Sequence, residues 1–127
     1  MVMAIKTVFE KSKSTRLHVV EGKISFKELA DSLTNLYQDP DFDKSLNALW
    51  DLRGADVSAF SADHVRQIAD LVAKEWGRNE KFRTALVVSE DFSYGMARMY
   101  ELLLDSKMSS QIKIFRNITA AREWLSS

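Results

Sequence analysis

The sequence lacks several kinds of residue, and each absence narrows what the protein can be. It has no cysteine among 127 residues, which excludes disulfides, thiolate metal sites and a thiol nucleophile. Eighteen basic residues balance eighteen acidic ones, so the surplus of Lys and Arg that a general nucleic-acid binder needs is missing. There are four glycines, and neither a dinucleotide-binding motif nor a Walker sequence can be built from them.

Long apolar stretches are absent as well. The longest uninterrupted runs cover five residues, 1–5, and four residues, 85–88, whereas a helix needs roughly 18–20 residues to span a bilayer. At the N-terminus, Lys6 interrupts the apolar residues before the core of a signal peptide could form. We therefore expect a cytoplasmic protein without a membrane span.

The sequence does contain enough apolar residues for one folded domain. They make up 46% of the chain, and a chain of this length buries roughly two-thirds of its unfolded surface. We find no internal repeat, no low-complexity segment and no linker long enough to divide the chain. Residues 1–127 are therefore expected to form a single domain.

Apolar patterns typical of strands recur five times along the chain. Most of them alternate between apolar and polar residues, as in a half-buried strand. One is almost continuously apolar, which favours a strand covered on both faces, and the last is expected at an edge of the sheet. The predicted strands cover residues 3–10, 15–21, 46–52, 83–89 and 111–116, of which 83–89 is the continuous one.

For two of these strands the sequence also predicts which residues are buried or where the strand ends. In the second strand, Leu17 and Val19 are expected to face inward, which leaves His18 on the surface. The third strand is expected to end where Arg53 and Gly54 break it.

Helix signals separate the strands. Ser25 and Glu28 form a capping box, in which each side chain can bond the backbone N–H of the other residue. Ser61 and Asn117 stand where the N-caps of two further helices are expected, and another helix is expected over 93–105. The order ββαβαβαβα predicts an α/β fold with a mixed, mostly parallel sheet of about five strands, four helices and an antiparallel hairpin at the N-terminus.

Five segments, taken together, are characteristic of a known fold. They are VEGKIS at 20–25, LYQDPDFD at 36–43, LWDLRGAD at 49–56, GMARMYE at 95–101, and Phe115 and Arg116 with Ala121, Trp124 and Leu125. Their order and spacing resemble the STAS fold, the domain of anti-sigma factor antagonists and of sulfate-transporter tails. The resemblance is closer to the SpoIIAA-like branch of bacterial proteins, and it covers nearly the whole chain.

The resemblance implies a regulatory switch. In anti-sigma factor antagonists a serine at the start of the helix after the central strand is phosphorylated by a partner kinase, and the added charge breaks docking. Ser58 and Ser61 occupy the matching place in this chain, so they are the candidate phosphorylation sites. The usual Asp-Ser-Ser-Gly pattern is missing, however, and Asp63 adds negative charge where a phosphate would sit, which argues against such a switch.

Polar residues follow two of the predicted parallel strands. The carboxyl ends of neighbouring parallel strands open onto one edge of a sheet, so these side chains are expected to converge on a crevice there. The alternative is that Asp51 and Arg53 pair with each other or cap local backbone. No nucleophile, base and orienting group can be assigned among them, so no active site, metal or cofactor is expected. The set consists of Asp51, Arg53, Ser58 and Ser61 after one strand and Ser89, Asp91, Ser93 and Tyr94 after the next.

Gly95 stands in the first turns of the helix expected over 93–105, where glycine costs about 1 kcal/mol relative to alanine. Either a side chain or the sheet packs closely against it, or a ligand approaches the start of the helix. Met96, Met99 and Tyr100 follow on the same helix. They favour core packing, with an adaptable apolar pocket or a partner groove as the alternative.

The two histidines offer little catalytic chemistry. Both His18 and His64 are expected on the surface, and no spacing suggests a metal site. An enzyme would need a base that titrates near neutrality inside a cleft, and His64 is the candidate closest to the expected crevice. This is the least favoured of the three functions considered.

The favoured expectation is a non-enzymatic regulatory or interaction domain. It would dock a protein partner, or a second copy of itself, through the rim at the C-terminal ends of the central strands. The alternative is a protein that binds a small apolar or anionic ligand, such as a lipid or a nucleotide, at the same rim, because helix N-termini favour anions. Nucleic acid is not an expected partner.

Overall fold

A computed structural model describes residues 3–10, 13–42, 45–76, 83–89, 91–105 and 111–127, and of residues 76 and 91–93 it describes the backbone alone. The order of elements confirms the predicted ββαβαβαβα arrangement. In chain order they are β1 (Ala4–Glu10), β2 (Thr15–Lys23), α1 (Phe26–Gln38), β3 (Asn47–Asp56), α2 (Ala62–Trp76), β4 (Arg83–Val87), α3 (Asp91–Asp105), β5 (Gln111–Phe115) and α4 (Ile118–Ser126).

The five strands form one mixed sheet in the order β1-β2-β3-β4-β5. β1 and β2 are antiparallel, and each later pair of neighbours is parallel, as predicted. The chain always steps in the same direction across the sheet, so right-handed crossovers place α1, α2 and α3 on one face. β5 lies at an edge, which confirms its prediction, and α4 returns over the opposite face.

The core consists of two layers, one on each side of the sheet. On one side, Leu33 of α1 packs with Ile68 and Val72 of α2 and with Leu104 of α3. We call these three helices the helical layer. On the other side, α4 packs against β3 and β4 through Ala121 and Leu125, which contact Leu49, Ala85 and Val87.

β4 lies between the two layers and is buried on both faces. Ala85 and Val87 contact α4, whereas Leu86 and Val88 belong to the cluster that includes Ala97 of α3. The almost continuous apolar run predicted this arrangement correctly.

The face of β2 that carries His18 is buried, and the expectation of a surface histidine is wrong. Val20 packs under the helical layer and His18 is 0% exposed, whereas Leu17 lies on the side of α4 and is half-buried. Three helices cover one side of the sheet and a single helix covers the other. Alternation in a strand that is covered on both sides does not reveal which side is better covered.

The predicted end of β3 is also wrong, because the strand continues through Arg53 and Gly54 to Asp56. β2 runs on to Lys23, so Gly54 still pairs with a neighbour, Glu21. A side chain at position 54 would bring its Cβ to 3.2 Å from Cγ of Glu21. The glycine therefore permits a close approach between the two strands instead of breaking the sheet.

The caps and lengths of the helices agree with the sequence signals. The Ser25 hydroxyl accepts the N–H of Glu28 at 3.4 Å, and the Asn117 side chain accepts the N–H of Ala120 at 3.1 Å. Within the described parts of the chain, none of the helices combines the length and apolar character needed to cross a bilayer.

Candidate functional site

The polar residues singled out in the sequence lie near the end of the sheet where β3 and β4 finish, but on both of its faces. Asp51 and Arg53 lie on the α4 side of β3, whereas Ser61 and Tyr94 lie at the starts of helices in the helical layer, so convergence on one crevice stays a prediction. We call this end of the sheet the rim; it comprises residues 53–61, residues 88–89 and the first two turns of α3.

β3 and β4 pair in parallel as far as Asp51 and Val87, and beyond this point β3 continues beside β2 to Asp56. The Ser89 hydroxyl donates a hydrogen bond to the carbonyl oxygen of Arg53 at 3.2 Å, which joins β3 to the segment that follows β4.

Asp51 and Arg53 form a two-pronged ion pair on the α4 side of β3. Arg53 donates from Nε to Oδ1 of Asp51 and from Nη2 to Oδ2, both at 2.8 Å, and its backbone N–H also points at Oδ1. These hydrogen bonds lower the pKa of Asp51, and the same contact raises the pKa of Arg53. The alternative in which the two residues pair locally is therefore the observed one, and Asp51 stays ionised.

Ser58 lies in the turn after β3, against a carboxylate. Oδ1 of Asp56 accepts the backbone N–H of Ser58 at 2.9 Å. Hydrogen bonds from the side chain and the backbone of Ser58 hold the pKa of Asp56 below its ordinary value. A phosphoryl group on Ser58 would stand beside this negative charge.

Ser61 caps α2, as predicted, but its capping partner is a histidine. The Ser61 hydroxyl accepts the N–H of His64 at 3.2 Å, while Nδ1 of His64 accepts the N–H of Ser61 at 3.1 Å. The imidazole thus replaces the glutamate of an ordinary capping box. Its ring is half-buried and stacks on Phe26, with ring centres 4.9 Å apart, and contacts Phe60.

The capping role of His64 has a chemical consequence. The lone pair of a ring nitrogen that accepts a backbone N–H is engaged in that hydrogen bond. The sequence placed the cap at Ser61, but a histidine at the third helical position is not a usual capping signal, so this role was missed.

The start of α3 holds the remaining predicted residues. Tyr94 lies under the Arg116 guanidinium, whose carbon is 4.8 Å from the ring centre. Among the described residues, a Cβ on Gly95 would meet nothing within 4 Å, so none of their side chains and no described part of the sheet packs against it as expected. The approach of a ligand to this glycine stays a prediction. Asp91 is the first residue of α3, and its side chain lies outside the described parts of the structure.

An apolar cavity of about 140 Å³ lies between the helical layer and the sheet. We call it the interior cavity. Met96 and Tyr100 of α3 line it, together with Val57 and Phe60 from the rim. Met99 is half-buried and does not line it. Part of the predicted alternative, an apolar pocket at this helix, is therefore present.

Metal chemistry finds no support in the arrangement of possible ligands. Within the described ranges, His, Asp and Glu side chains nowhere come together in a group of three or more that could hold an ion.

Comparison with solved structures identifies the architecture. An uncharacterised protein of the DUF3478 family from Shewanella loihica PV-4, whose structure has a SpoIIAA-like fold, matches over 97% of this chain and 93% of its own. The TM-score is 0.60 at 16% sequence identity. The chain has the SpoIIAA-like fold.

A second solved structure shows a weaker likeness. It is the STAS domain of an antisigma-factor antagonist from Rhodobacter sphaeroides, with a TM-score of 0.36 and 12% identity over 90% of this chain and 86% of that one. No family model matches the sequence, and no curated protein matches it. The SpoIIAA-like fold is thus established for this chain, and its function has to be argued from its own residues.

Proposed function

We propose that this SpoIIAA-like chain is a non-enzymatic regulatory domain that docks a protein partner, or a second copy of itself, through the rim. One observation carries the proposal: three groups in or next to the rim that could perform acid–base chemistry, Asp51, Asp56 and His64, are already engaged by their neighbours. Arg53 holds Asp51, the backbone of Ser61 occupies Nδ1 of His64, and Ser58 holds Asp56. Fixed polar groups of this kind suit recognition better than proton transfer.

Arg53 is the rim residue best suited to contact a partner. Its side chain is 45% exposed, yet both prongs of the ion pair with Asp51 fix its orientation. A guanidinium that is already ordered loses little freedom on binding, and arginine is common among the residues that dominate interfaces. It would meet carboxylates or backbone carbonyls of the partner.

We infer that docking is not switched at Ser58. The Asp56 carboxylate already accepts the N–H of Ser58, and a phosphate on the hydroxyl would add like charge beside it. Ser61 differs, because its hydroxyl lies at the N-terminus of α2, where negative charge is favoured, and the nearby Asp63 carboxylate is already paired with Arg66. Ser61 is therefore the better of the two candidate phosphorylation sites.

The rim is tested with a variant that adds bulk without removing a structural contact. Ala59 is exposed between Ser58 and Phe60, so Ala59→Arg should block docking. Gln38→Arg at the end of α1 is the matched control, because it adds the same side chain at an exposed position on the opposite edge. We expect at least tenfold weaker binding for the first variant and no change for the second. Self-association is measured by sedimentation velocity, and partner binding by affinity capture with both variants in parallel.

Two results would contradict rim docking. One is equal behaviour of the Ala59→Arg and Gln38→Arg variants in both measurements. The other is a wild-type chain that stays monomeric at high concentration and captures the same proteins as the Ala59→Arg variant.

A second candidate function, small-ligand binding, is favoured by the interior cavity. The cavity lies directly beneath the rim, because Val57 and Phe60 belong to both. Apolar pockets with a few polar groups are the usual form of a small-molecule site. Native mass spectrometry of the purified chain tests this function: a retained small molecule supports it, and an apo mass in every preparation counts against it.

A further inference from the structure

The interior cavity has apolar walls on both of its sides. Trp50 and Leu86 line it from the sheet, and Met96 and Ala97 line it from α3. Buried aliphatic side chains of α1 and α2 complete the wall of the helical layer, namely Leu33, Ile68 and Val72. Empty space leaves such atoms without contacts on one side, and an apolar molecule in the cavity would restore those contacts.

The polar residues on the sheet side of the cavity lie at the end away from the rim. Arg16 and Thr84 stand in one row across the strands, and Trp50 and Leu86 form the row two positions closer to the rim. Nη1 of Arg16 donates to Nε2 of His18 at 3.2 Å. Arg16 is therefore engaged by a neighbour, and a ligand that lies along the apolar rows needs no contact with it.

Burial opposes charge of either sign in the space between the sheet and the helical layer. Burial, and then Tyr37, raise the pKa of Tyr100 well above its ordinary value, so this hydroxyl in the cavity wall stays protonated. Burial, and then Arg16, lower the pKa of His18 to about 3, so the imidazole stays neutral. An ionised ligand would meet the same cost of losing its water, whereas a neutral apolar ligand would not.

The size and the opening of the interior cavity restrict what it can hold. A volume of about 140 Å³ is close to the roughly 150 Å³ of an engineered apolar cavity that stays dry and takes up benzene. Val57, Phe60 and Met96 line the cavity at its rim end and are half-buried, so part of each faces solvent. A methionine side chain adapts its shape readily, so a small molecule can enter from the rim past Met96.

We propose that the interior cavity binds one small, neutral, apolar molecule of the size of a single aromatic ring or a comparable aliphatic group. The molecule lies between Trp50 and Leu86 on the sheet and Ala97 on α3, and it enters from the rim past Met96. It needs no charged partner, so the hydrogen bond from Arg16 is kept in the complex. The inference rests on the second candidate function, and it assigns that function a class of ligand.

The proposal is tested with three probes that share a ring and differ in charge: toluene, benzoate and benzylammonium. Titrations are followed by ¹H–¹⁵N NMR of the whole chain. We expect saturable toluene shifts at Ala48, Leu86 and Ala97, and at least tenfold weaker binding of both ions, because each ion would have to leave water. Intermolecular NOEs from toluene to the side chains of Leu86 and Met96 locate the ligand in the cavity without any substitution.

A variant that fills the cavity tests the location of the site a second time. Ala48 is buried in the cavity wall, so Ala48→Val occupies part of the space and should weaken toluene binding at least fivefold. Ala4→Val is the matched control, because it makes the same change at an exposed strand position outside the cavity. Equal toluene affinity of these two variants would contradict a site in the cavity. If Ala48→Val does not fold, the wild type decides, since NOEs from bound toluene only to residues outside the cavity wall would overturn the proposal.

The outcomes separate this inference from the function on which it rests. If benzoate or benzylammonium binds in the cavity at least as tightly as toluene, the neutral class of ligand is wrong and small-ligand binding stands. If none of the three probes shifts the cavity residues, both the ligand class and the small-ligand candidate fail. Rim docking is unaffected by either result.

Discussion

His18 illustrates how a polar residue can be accommodated in the centre of the sheet. Each ring nitrogen has a partner: Thr7 Oγ1 lies 2.9 Å from Nδ1, and Nη1 of Arg16 lies 3.2 Å from Nε2. Arginine can only donate, so Nε2 is the acceptor and Nδ1 carries the proton that is donated to Thr7. The ring also stacks on Trp50 with centres 4.1 Å apart. Satisfied hydrogen bonds and stacking together make the burial of a neutral imidazole tolerable.

The neutral state of His18 makes stability depend on pH. Its pKa is about 3 in the folded chain and 6.5 as the ordinary value, so the unfolded chain binds one more proton between these limits. The free energy of unfolding should therefore be greatest above pH 6.5. It should fall by about 1.4 kcal/mol for each pH unit as the pH drops through this window. Urea unfolding at pH 7 and pH 5 measures the change.

The control for this pH dependence is His18→Gln, which retains polar atoms but does not titrate. The variant is less stable at pH 7, and its stability should change less between pH 7 and pH 5 than that of the wild type. An imidazole signal of His18 that titrates near pH 6.5 in ¹⁵N NMR of the folded chain would show that the pKa is not depressed.

At the scale of elements, Gly95 lowers the stability of α3. Gly95 lies in a helical turn, and none of the described residues would contact its Cβ, so no described contact explains the missing side chain. Gly95→Ala should raise the free energy of unfolding by about 0.5–1 kcal/mol, because alanine loses less backbone freedom on folding. Chemical denaturation measures this gain. Gly22→Ala serves as the opposite case, since Gly22 has a φ of 86° and the substitution should destabilise the chain. A loss of stability in Gly95→Ala would contradict a regular helical turn with open space at position 95.

The element order was predictable because local signals specify it, whereas the environment of a strand depends on what packs on it. Ser25, Ser61 and Asn117 mark helix starts through bonds to their own neighbours, and all three signals were correct. The burial of His18 depends instead on residues of other strands, such as Trp50 of β3, which stacks on its ring. The interior cavity could not be predicted from local sequence patterns for the same reason, because its walls come from four strands and three helices.

The same difference between local and long-range signals decides which parts of the candidate site could be predicted. Pairing of Asp51 with Arg53 was predictable because the two residues stand two positions apart on one strand. Arg16 was not singled out, because a single arginine in an alternating strand is ordinarily exposed. An arginine at alternate positions with a histidine, Arg16 and His18, is the signal that could have drawn attention to this face.

For the whole molecule, the uneven covering of the sheet determines how stability is distributed. Three helices protect one face, while α4, a single helix of nine residues, protects the other. Contacts at both flanks hold α4 in place. Arg122 donates to Glu10 of β1 at 3.0 Å, and Asn47 of β3 donates from Nδ2 to the carbonyl oxygen of Leu125 at 3.2 Å. The stability of this face therefore depends on few side chains.

Leu125 is the residue through which this dependence can be measured. It is buried against β3 and β4 at the end of α4, so Leu125→Ala removes apolar contacts and leaves a cavity. We expect the free energy of unfolding to fall by about 2–4 kcal/mol. Leu102→Ala is the matched control: Leu102 is 55% exposed on α3, and the same change there should cost less than about 0.5 kcal/mol. Urea unfolding of both variants decides the matter. If both substitutions lower the free energy of unfolding equally, the packing of α4 does not stabilise the second face of the sheet.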